Sequence, residues 1–208
     1  MVIVGCGGHA KEVLSDGVLL ETYNSIYFFD SVNALNNTEF THKFEIIKSF
    51  EDLSSYNIVE RKFILAVGNP NVRKNLFFKF IELGFEPFSF FSKNALISSQ
   101  AVIGDCLNIM PFASIFDHAK VGLGSLVNSY ASIHHDAIVG EFCEISPGAR
   151  ILGHAIVGDN ISIGANATIL PGIKVGCNSI IGSGAVVTKN VPDNCVAVGV
   201  PAKIIKGR

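Results

Sequence analysis

An aliphatic side chain returns at every sixth position between residues 97 and 187. All sixteen positions of this register, counted from Ile97, are Ile or Val, although the whole segment contains only twenty-three Ile and Val. A period of six is typical of the hexapeptide parallel β-helix, in which short strands alternate with corners and three strands complete one coil. The sequence therefore predicts a triangular prism of about five stacked coils with the Ile/Val column inside.

The residues around each aliphatic position fit the same repeating unit. Small side chains such as Ala113, Ala131 and Ala149 stand two positions earlier, and Gly or Asn often follows directly, as at Gly104 and Asn128. Gly and Asn adopt a left-handed backbone more readily than other residues. We therefore predict that the chain turns each corner immediately after an Ile/Val position.

The first thirty residues carry the pattern of a nucleotide-binding unit. The apolar strand 2–4 enters a glycine-rich turn at 5–10 that fits G-x-G-x-x-G/A, and residues 11–21 have helical apolar spacing. A second apolar strand, 26–29, ends at Asp30, where that fingerprint has its ribose-binding acid. In such a unit the backbone N–H groups of the turn approach a diphosphate at the helix N-terminus.

The following residues complete only one half of such a sheet. We predict a polar connection at 33–38, a strand over 44–47 and a buried strand over 62–67. A helix from Asn71, with Asn71 as its cap, should run to Leu83 and stop at Gly84. Since the β-helix begins by residue 95, there is no room for a full dinucleotide fold, and we expect the nucleotide to belong to the substrate rather than to a redox cofactor.

The carboxyl ends of parallel strands meet at one edge of a sheet, where ligands bind. The residues that follow the three predicted strands should therefore converge on the nucleotide end of the substrate. They are Gly7, Gly8, His9, Asp30, Gly68 and Asn69.

Charge and cysteine content narrow the choice of partners. The formal net charge is −2 and no Lys/Arg cluster occurs, which argues against nucleic acid or an anionic membrane as partner. Residues 95–190 hold ten charged side chains, half the number in residues 1–94, so the prism faces suit burial against copies of the chain. Five Cys without metal-like spacing, and an opening apolar run that ends at Gly5, predict reduced thiols in a cytoplasmic protein.

The few ionisable residues of the prism gather in one part of it. They are Asp117, His118, His134, His135, Asp136, Glu144 and His154. Because residues eighteen apart stack on successive coils, His135 should lie above Gly153, with Asp136 beside it. An imidazole can accept a proton near neutral pH, a carboxylate can orient it, and a backbone N–H can hold a thioester oxyanion.

Two other interpretations of this cluster remain open. The side chains can be solvated or interface polar groups without a chemical role. The column of His118, Asp136 and His154 is also a candidate metal site shared between subunits, as in β-helical carbonic anhydrases. Those enzymes carry two His five residues apart on one coil, and this sequence contains no such pair.

Four segments together resemble one family over nearly the whole chain. They are Val-Ile-Val-Gly-Cys-Gly-Gly-His-Ala-Lys at 2–11, His135-Asp136, Ile-Val-Gly-Glu-Phe at 138–142 and Val-Gly-Val-Pro-Ala-Lys at 198–203. The sequence is similar to the sugar O- and N-acetyltransferases of the sialic-acid and bacillosamine pathways, the NeuD/PglD-like family. The last segment is common to many hexapeptide acyltransferases, whereas the first, joined to hexapeptide repeats, is much more specific.

The resemblance implies an α/β Rossmann-like half domain at 1–92, followed at 93–208 by a left-handed parallel β-helix with a C-terminal tail. It implies a homotrimer with acetyl-CoA as co-substrate in grooves between neighbouring prisms, and no metal. By the same resemblance His135 is the general base and Asp136 its partner. The implied acetyl-CoA-binding residues are Glu144, Gly153, Ala165 and Ser183.

One departure affects these implied roles. Glu144 stands where relatives often have a His that touches acetyl-CoA, so His134 or His154 is the alternative for that second role. We hypothesise direct acetyl transfer to the amino group of a nucleotide-activated amino-deoxysugar. The alternatives are O-acetylation of sialic acid or another sugar and, beyond enzymes, a non-catalytic trimeric scaffold.

Overall fold

The fold is taken from a computed structural model, in which residues 1–32 and 43–207 are described. The polar connection predicted at 33–38 lies outside the described residues. In this part of the chain no helix is long and apolar enough to cross a lipid bilayer.

The N-terminal half is a parallel sheet with helices packed on it. Its strands and helices, in chain order, are β1 (Val2–Val4), α1 (Gly8–Ser15), α2 (Val18–Thr22), β2 (Tyr27–Phe29), β3 (Ile46–Ile47), α3 (Phe50–Leu53), β4 (Lys62–Leu65), α4 (Pro70–Glu82) and β5 (Glu86–Pro87). The strand order is β3-β2-β1-β4-β5, and every pairing is parallel. This order brings the carboxyl ends of β1, β2 and β4 side by side, as the strand pattern predicted.

Two helix predictions were wrong in detail. The helix predicted over 11–21 is split, because Gly17 adopts a left-handed backbone with φ 84° between α1 and α2. The helix predicted from Asn71 begins at Pro70, and its cap is Asn69, whose side chain accepts from the backbone N–H of Val72 at 3.1 Å. Proline suits this first position because its missing N–H would have no partner within the helix. The predicted stop at Gly84 holds, with φ 76° there.

The C-terminal half is the predicted prism, built from three sheets, here named the first, second and third face. Their strand pairs are parallel, apart from the antiparallel pair of Cys195–Val198 and Lys203–Gly207. The first face contains Phe90–Phe91, Asn108–Ile109, Leu126–Val127, Glu144–Ile145, Ser162–Ile163, Ile180–Ile181, Cys195–Val198 and Lys203–Gly207. The second contains Leu96–Ile97, Ser114–Ile115, Ser132–Ile133, Arg150–Ile151, Thr168–Ile169 and Val186–Val187. The third contains Val102–Ile103, Lys120–Val121, Ile138–Val139, Ile156–Val157 and Lys174–Val175.

Strand pairing follows the eighteen-residue interval. Ile115 pairs with Ile133, and Ile133 with Ile151, so equivalent residues of successive coils lie over one another. Within the prism the Ile/Val column and the small residues before it form one continuous core. The parallel β-helix predicted from the six-residue repeat is therefore confirmed.

The corners lie two residues later than the sequence predicted. Positive φ occurs three positions after the Ile/Val register, as at His118 (58°), Asp136 (59°) and Gly148 (70°), and not at the directly following Gly104 or Gly122. Those glycines meet a different requirement. A Cβ on Gly122 would lie 2.6 Å from the carbonyl carbon of Gly140 on the next coil, so close approach between coils keeps the position free of a side chain.

A buried arginine joins the two halves. Arg73 of α4 is fully buried, and its guanidinium donates to the carbonyl oxygens of Leu65 and Val67 at 3.0 and 2.8 Å. It also donates to the Gly124 carbonyl and to Asn108 Oδ1 in the prism, at 2.9 and 3.2 Å. The first prism strand, Phe90–Phe91, pairs with Asn108–Ile109 and so lies two residues before the end of the predicted N-terminal domain at residue 92. The domain boundary at 92 stays a proposal.

Candidate active site

A cavity of about 450 Å³ opens at the carboxyl ends of β1, β2 and β4. Five of the six residues predicted to converge there line it: Gly7, Gly8, His9, Asp30 and Gly68. The remaining one, Asn69, is not among the lining residues, because its side chain caps α4. The cavity lies where the sequence predicted the nucleotide site, at the start of α1.

Asp30 ties the glycine-rich turn to the end of β2. Its carboxylate accepts from the backbone N–H of Cys6 at 3.2 Å and from that of Val32 at 3.0 Å. The thiol of Cys6 also donates to it at 3.4 Å, and burial together with Asp30 raises the pKa of that thiol to about 12. The Asp30 carboxyl group thus accepts hydrogen bonds from the glycine-rich turn and from the loop after β2, at the cavity wall.

His9 is the buried imidazole of the cavity wall. Burial, and then the charge of Arg73, lower its pKa to about 3, so the ring is neutral at pH 7. The approach of Glu12 to 3.6 Å from Nδ1 is therefore not an ion pair. A neutral imidazole can donate from only one of its two nitrogens, which gives the ring a defined direction.

His135 and Asp136 form a hydrogen-bonded pair at the edge between the second and third faces, here called the catalytic edge. Nδ1 of His135 lies 2.9 Å from Oδ2 of Asp136. The pKa of Asp136 is lowered, chiefly by this hydrogen bond, so the carboxylate is ionised at neutral pH. An ionised carboxylate can only accept, so Nδ1 carries a proton, and in the neutral form of the ring Nε2 then has the free lone pair.

Gly153 lies directly beneath the ring of His135, as the eighteen-residue column predicted. A Cβ on Gly153 would come within 2.6 Å of both Cε1 and Nε2 of His135. A side chain at residue 153 would therefore displace the imidazole from this position. The side chain of His135 is 59% exposed, so its Nε2 is open to a substrate.

The neighbouring histidines occupy three different environments. Nε2 of His154 lies 3.8 Å from Oδ2 of Asp136, and the ring packs edge-on against His135. His134 stacks on Phe116 with ring centres 5.0 Å apart, and burial lowers its pKa. His118 is exposed one coil away.

The metal alternative involves a different trio from the predicted column. Among the residues that the structure describes, the ligand atoms of His135, Asp136 and His154 lie within 4.8 Å of one another. His118 does not belong to this cluster. The short contact between His135 and Asp136 is what an acid–base pair requires, and a metal ion there would replace it.

Glu144 lies on the first face, against the N-terminal half, and not beside His135. Its carboxyl carbon is 3.8 Å from the position that a Cβ on Gly68 would take. Burial raises its pKa, while a hydrogen bond from Ser146 Oγ at 2.9 Å and the charge of Arg73 act in the opposite direction. Glu144 therefore lies beside Gly68, which lines the cavity of the same chain.

Ala165 and Ser183, predicted for the acetyl-CoA groove, lie over one another at the edge between the first and second faces, here called the groove edge. Both stand two residues after a first-face strand, Ser162–Ile163 or Ile180–Ile181. His135 instead stands two residues after a second-face strand. A single chain thus carries the predicted base and the predicted coenzyme residues on separate edges.

The sequence analysis did not identify Arg73 and Asn108. Asn108 lies against His9 of the cavity wall, and Arg73 donates to Asn108. A signal for Arg73 was present, because it occupies the buried face of α4 together with Phe77 and Phe80. A cation at an apolar position of a helix needs buried acceptors. Asn108 directly precedes a register isoleucine, and its buried amide meets Arg73 and His9 of the N-terminal half.

Two family descriptions match parts of the chain. Residues 1–80 match the PglD N-terminal domain, and residues 154–189 match the hexapeptide repeat of succinyl-transferase. The first match covers the sheet with its cavity, and the second covers successive coils of the prism.

Solved structures resemble the chain over almost its full length. The acetyltransferase domain of PglB from Neisseria gonorrhoeae, in complex with acetyl coenzyme A, is 29% identical, with 98% of each chain covered and a TM-score of 0.88. WeeI from Acinetobacter baumannii is 26% identical, with 98% of each chain covered and a TM-score of 0.89. These similarities support the predicted order of a Rossmann-like half followed by a β-helix.

A third similar structure contains two ligands. PerB from Caulobacter crescentus, in complex with CoA and GDP-perosamine, is 27% identical over 99% of this chain and 96% of that one, with a TM-score of 0.87. Two variants of the Caulobacter perosamine N-acetyltransferase, with a single histidine changed to Asn or Ala, are similar over 100% of this chain.

Proposed function

We propose that this chain, which belongs to the NeuD/PglD-like family of sugar acetyltransferases, transfers the acetyl group of acetyl-CoA to the amino group of a nucleotide-activated amino-deoxysugar. One observation carries the proposal. The chain combines a cavity at the edge of its sheet with the His135–Asp136 pair, within a fold similar throughout to an enzyme whose structure holds CoA and GDP-perosamine.

The geometry of His135 fits direct transfer. The amine lone pair attacks the thioester carbonyl carbon, and Nε2 of His135 accepts the proton that the amine loses. Asp136 holds the proton on Nδ1 and stabilises the imidazolium that forms. The tetrahedral intermediate then expels the CoA thiolate, which takes the proton back from Nε2 of the His135 imidazolium, while the backbone at Gly153 is the proposed partner of the oxyanion.

We assign the nucleotide end of the substrate to the N-terminal domain, residues 1–92, and acetyl transfer to residues 93–208. Gly7, Gly8, His9, Asp30 and Gly68 would contact the nucleotide sugar, because they line the cavity. Asn69 would shape the turn after β4, since its side chain is used in the cap of α4. Glu144 belongs to the prism and lies beside Gly68 of the N-terminal domain. It would therefore meet the substrate where the sugar approaches acetyl-CoA.

A homotrimer is proposed because one chain does not bring the two edges together. The catalytic edge with His135 and the groove edge with Ala165 and Ser183 would face each other between neighbouring prisms. Aromatic side chains support such packing at both edges. Phe112 and Tyr130 are 52% and 66% exposed and stack on each other near the groove edge, and Phe116 stacks on His134 near the catalytic edge. Such exposed apolar patches mark interfaces. We also propose that this trimer is cytoplasmic, where acetyl-CoA and nucleotide sugars would be available as substrates.

The test of the function is the His135→Ala variant. We expect kcat to fall by about 10²–10⁴, the usual contribution of a general base, while the urea midpoint stays unchanged because the side chain is largely exposed. The assay would follow free CoA with a panel of amino-sugar nucleotides. Free sialic acid in the same panel separates N-acetylation from O-acetylation.

The matched control is His118→Ala. It removes an exposed histidine one coil away that is outside the cluster of His135, Asp136 and His154, and its kcat should stay within about threefold of wild type. Activity of His135→Ala within tenfold of wild type would remove His135 from the mechanism. If the wild-type protein binds no acetyl-CoA in calorimetry, the result would favour the interpretation as a non-catalytic trimeric scaffold.

A further inference from the structure

Three buried polar side chains connect the two halves of the molecule at the nucleotide cavity. Arg73 of α4 donates from Nη2 to Oδ1 of Asn108 at 3.2 Å. The other end of the Asn108 amide, Nδ2, lies 3.3 Å from Nε2 of His9. Arg73 and Asn108 are fully buried, and His9 forms part of the cavity wall.

Arg73 determines which way the Asn108 amide points. A guanidinium has only N–H donors, so the group of Asn108 that faces it has to be the carbonyl oxygen. The amide nitrogen then faces His9. This assignment follows from the chemistry of arginine and does not depend on distinguishing oxygen from nitrogen by shape.

The Asn108 amide in turn determines the tautomer of His9. Its NH₂ group can only donate, so Nε2 of His9 has to accept, and in a neutral ring the proton then sits on Nδ1. Nδ1 is buried, and among the described residues it has no hydrogen-bond partner. The nearest carboxylate oxygen, on Glu12, lies 3.6 Å away, beyond hydrogen-bond distance.

The charge of Arg73 favours an anion at the same place. Burial lowers its pKa only to about 10, so the guanidinium is charged at pH 7. Its four described acceptors are three carbonyls and one amide oxygen, and no carboxylate in the described part of the chain forms a salt bridge with it. The guanidinium is buried, its described hydrogen bonds all go to neutral acceptors, and Glu144 is the carboxylate whose charge acts on it. Such a cation and an unpaired N–H at the first turn of α1 both suit a diphosphate.

We propose that Arg73 and Asn108 are positioning residues that fix the Nδ1–H tautomer of His9, so that His9 donates a hydrogen bond to the diphosphate of the bound nucleotide sugar. This inference rests on the proposed function for the identity of the ligand. The tautomer itself belongs to the free protein and can be measured without any substrate.

The decisive variant is Asn108→Asp, which keeps the size of the side chain. Its carboxylate accepts from Arg73 and also from Nε2–H of His9, so the proton moves from Nδ1 to Nε2. Long-range ¹⁵N–¹H NMR on histidine-labelled protein, with the His9 signals identified by their loss in His9→Asn, should show Nδ1–H in the wild type and Nε2–H in Asn108→Asp. A purely structural role of Asn108 would not move this signature.

Affinity for GDP and UDP, measured by calorimetry, tests the consequence. Asn108→Asp should weaken the binding of the nucleotide that the wild type prefers by about tenfold or more, as the loss of a hydrogen bond to a charged group does. Asn108→Ala, which adds no charge and leaves the tautomer unbiased, should weaken it by less. Affinity for acetyl-CoA should not change in either variant.

A double variant separates the tautomer from the added charge. His9→Asn places an amide that can turn an N–H toward the position of Nδ1 whatever stands at residue 108, so Asn108→Asp should have little further effect in that background. An undiminished effect there would overturn the proposal, as would an Nε2–H tautomer in the wild type or a wild type that binds neither nucleotide. If the tautomer and the nucleotide affinities behave as predicted but the wild type acetylates no amino-sugar nucleotide, only the proposed function is contradicted.

Discussion

At the scale of single residues, the position of His135 follows from counting. An eighteen-residue coil places it over Gly153, and the structure has that arrangement. The helical pattern signals that Arg73 is buried, but the sequence could not predict that Asn108 links it to His9, because this contact depends on how the two halves pack. Asn69 was predicted as a ligand-binding residue because it follows a strand, although Asn before Pro is also a typical helix cap.

Gly153→Ala tests the contact beneath the proposed base. The new methyl group would lie within 2.6 Å of the imidazole and would turn the ring away from its position beside Asp136. We expect kcat to fall by about tenfold or more, since misplacement of a catalytic group by about 1 Å has that order of effect. The urea midpoint should change little because the ring is exposed. Steady-state kinetics within twofold of wild type would contradict the close stacking.

The buried His9 predicts how stability depends on pH. Its pKa is about 3 in the folded protein and about 6.5 unfolded, so the unfolded chain binds the additional proton between these values. The contribution to stability is therefore complete above pH 6.5 and is lost as the pH falls. Between pH 7 and pH 5 it amounts to about 2 kcal/mol.

Urea denaturation of wild type and His9→Asn at pH 7 and pH 5 measures this difference. The wild type should lose about 2 kcal/mol more than the variant, since all other titrating groups are shared. Equal losses in the two proteins would mean that His9 titrates normally in the folded state.

At the scale of elements, the sixfold repeat predicted the strands correctly and the corners incorrectly. The strands lie where side chains must be buried, and the Ile/Val register shows which side chains those are. The left-handed corner falls on residues as different as His118, Phe142 and Gly148, because the path of the chain, and not the residue type, imposes it. The glycines that suggested a corner are required by contacts between coils, which a single repeat does not reveal.

Arg73 is the residue through which α4 is joined to the prism. Arg73→Met keeps most of the volume but leaves four buried acceptors, on Leu65, Val67, Gly124 and Asn108, without their donor. We expect the free energy of unfolding to fall by at least about 3 kcal/mol, given the usual cost of buried unpaired polar groups. Urea titrations at equal protein concentration would measure it.

The control is Asn75→Met on the exposed side of the same helix. It should change the unfolding free energy by less than about 1 kcal/mol. Similar losses for the two variants would mean that the guanidinium contacts do not hold the halves together.

At the scale of the whole molecule, the residues proposed for catalysis and those proposed for coenzyme binding lie on separate edges of the prism. The catalytic edge carries His135 and Asp136, and the groove edge carries Ala165 and Ser183. Both are fixed by the same triangular coil, so they cannot approach within one prism. The resemblance implied a trimer, and the separation of the two edges supplies a geometric reason for one.

Subunit mixing tests most directly whether the reaction takes place between two chains with His135 as its base. Ser183→Trp would block the groove edge and His135→Ala would remove the base, so each variant trimer alone should be inactive. Unfolded together and refolded at equal amounts, they should recover roughly a quarter of wild-type activity, because random assembly places an intact catalytic edge opposite an intact groove edge at roughly that fraction of junctions. A mixture that stays as inactive as its two components would contradict an active site shared between subunits.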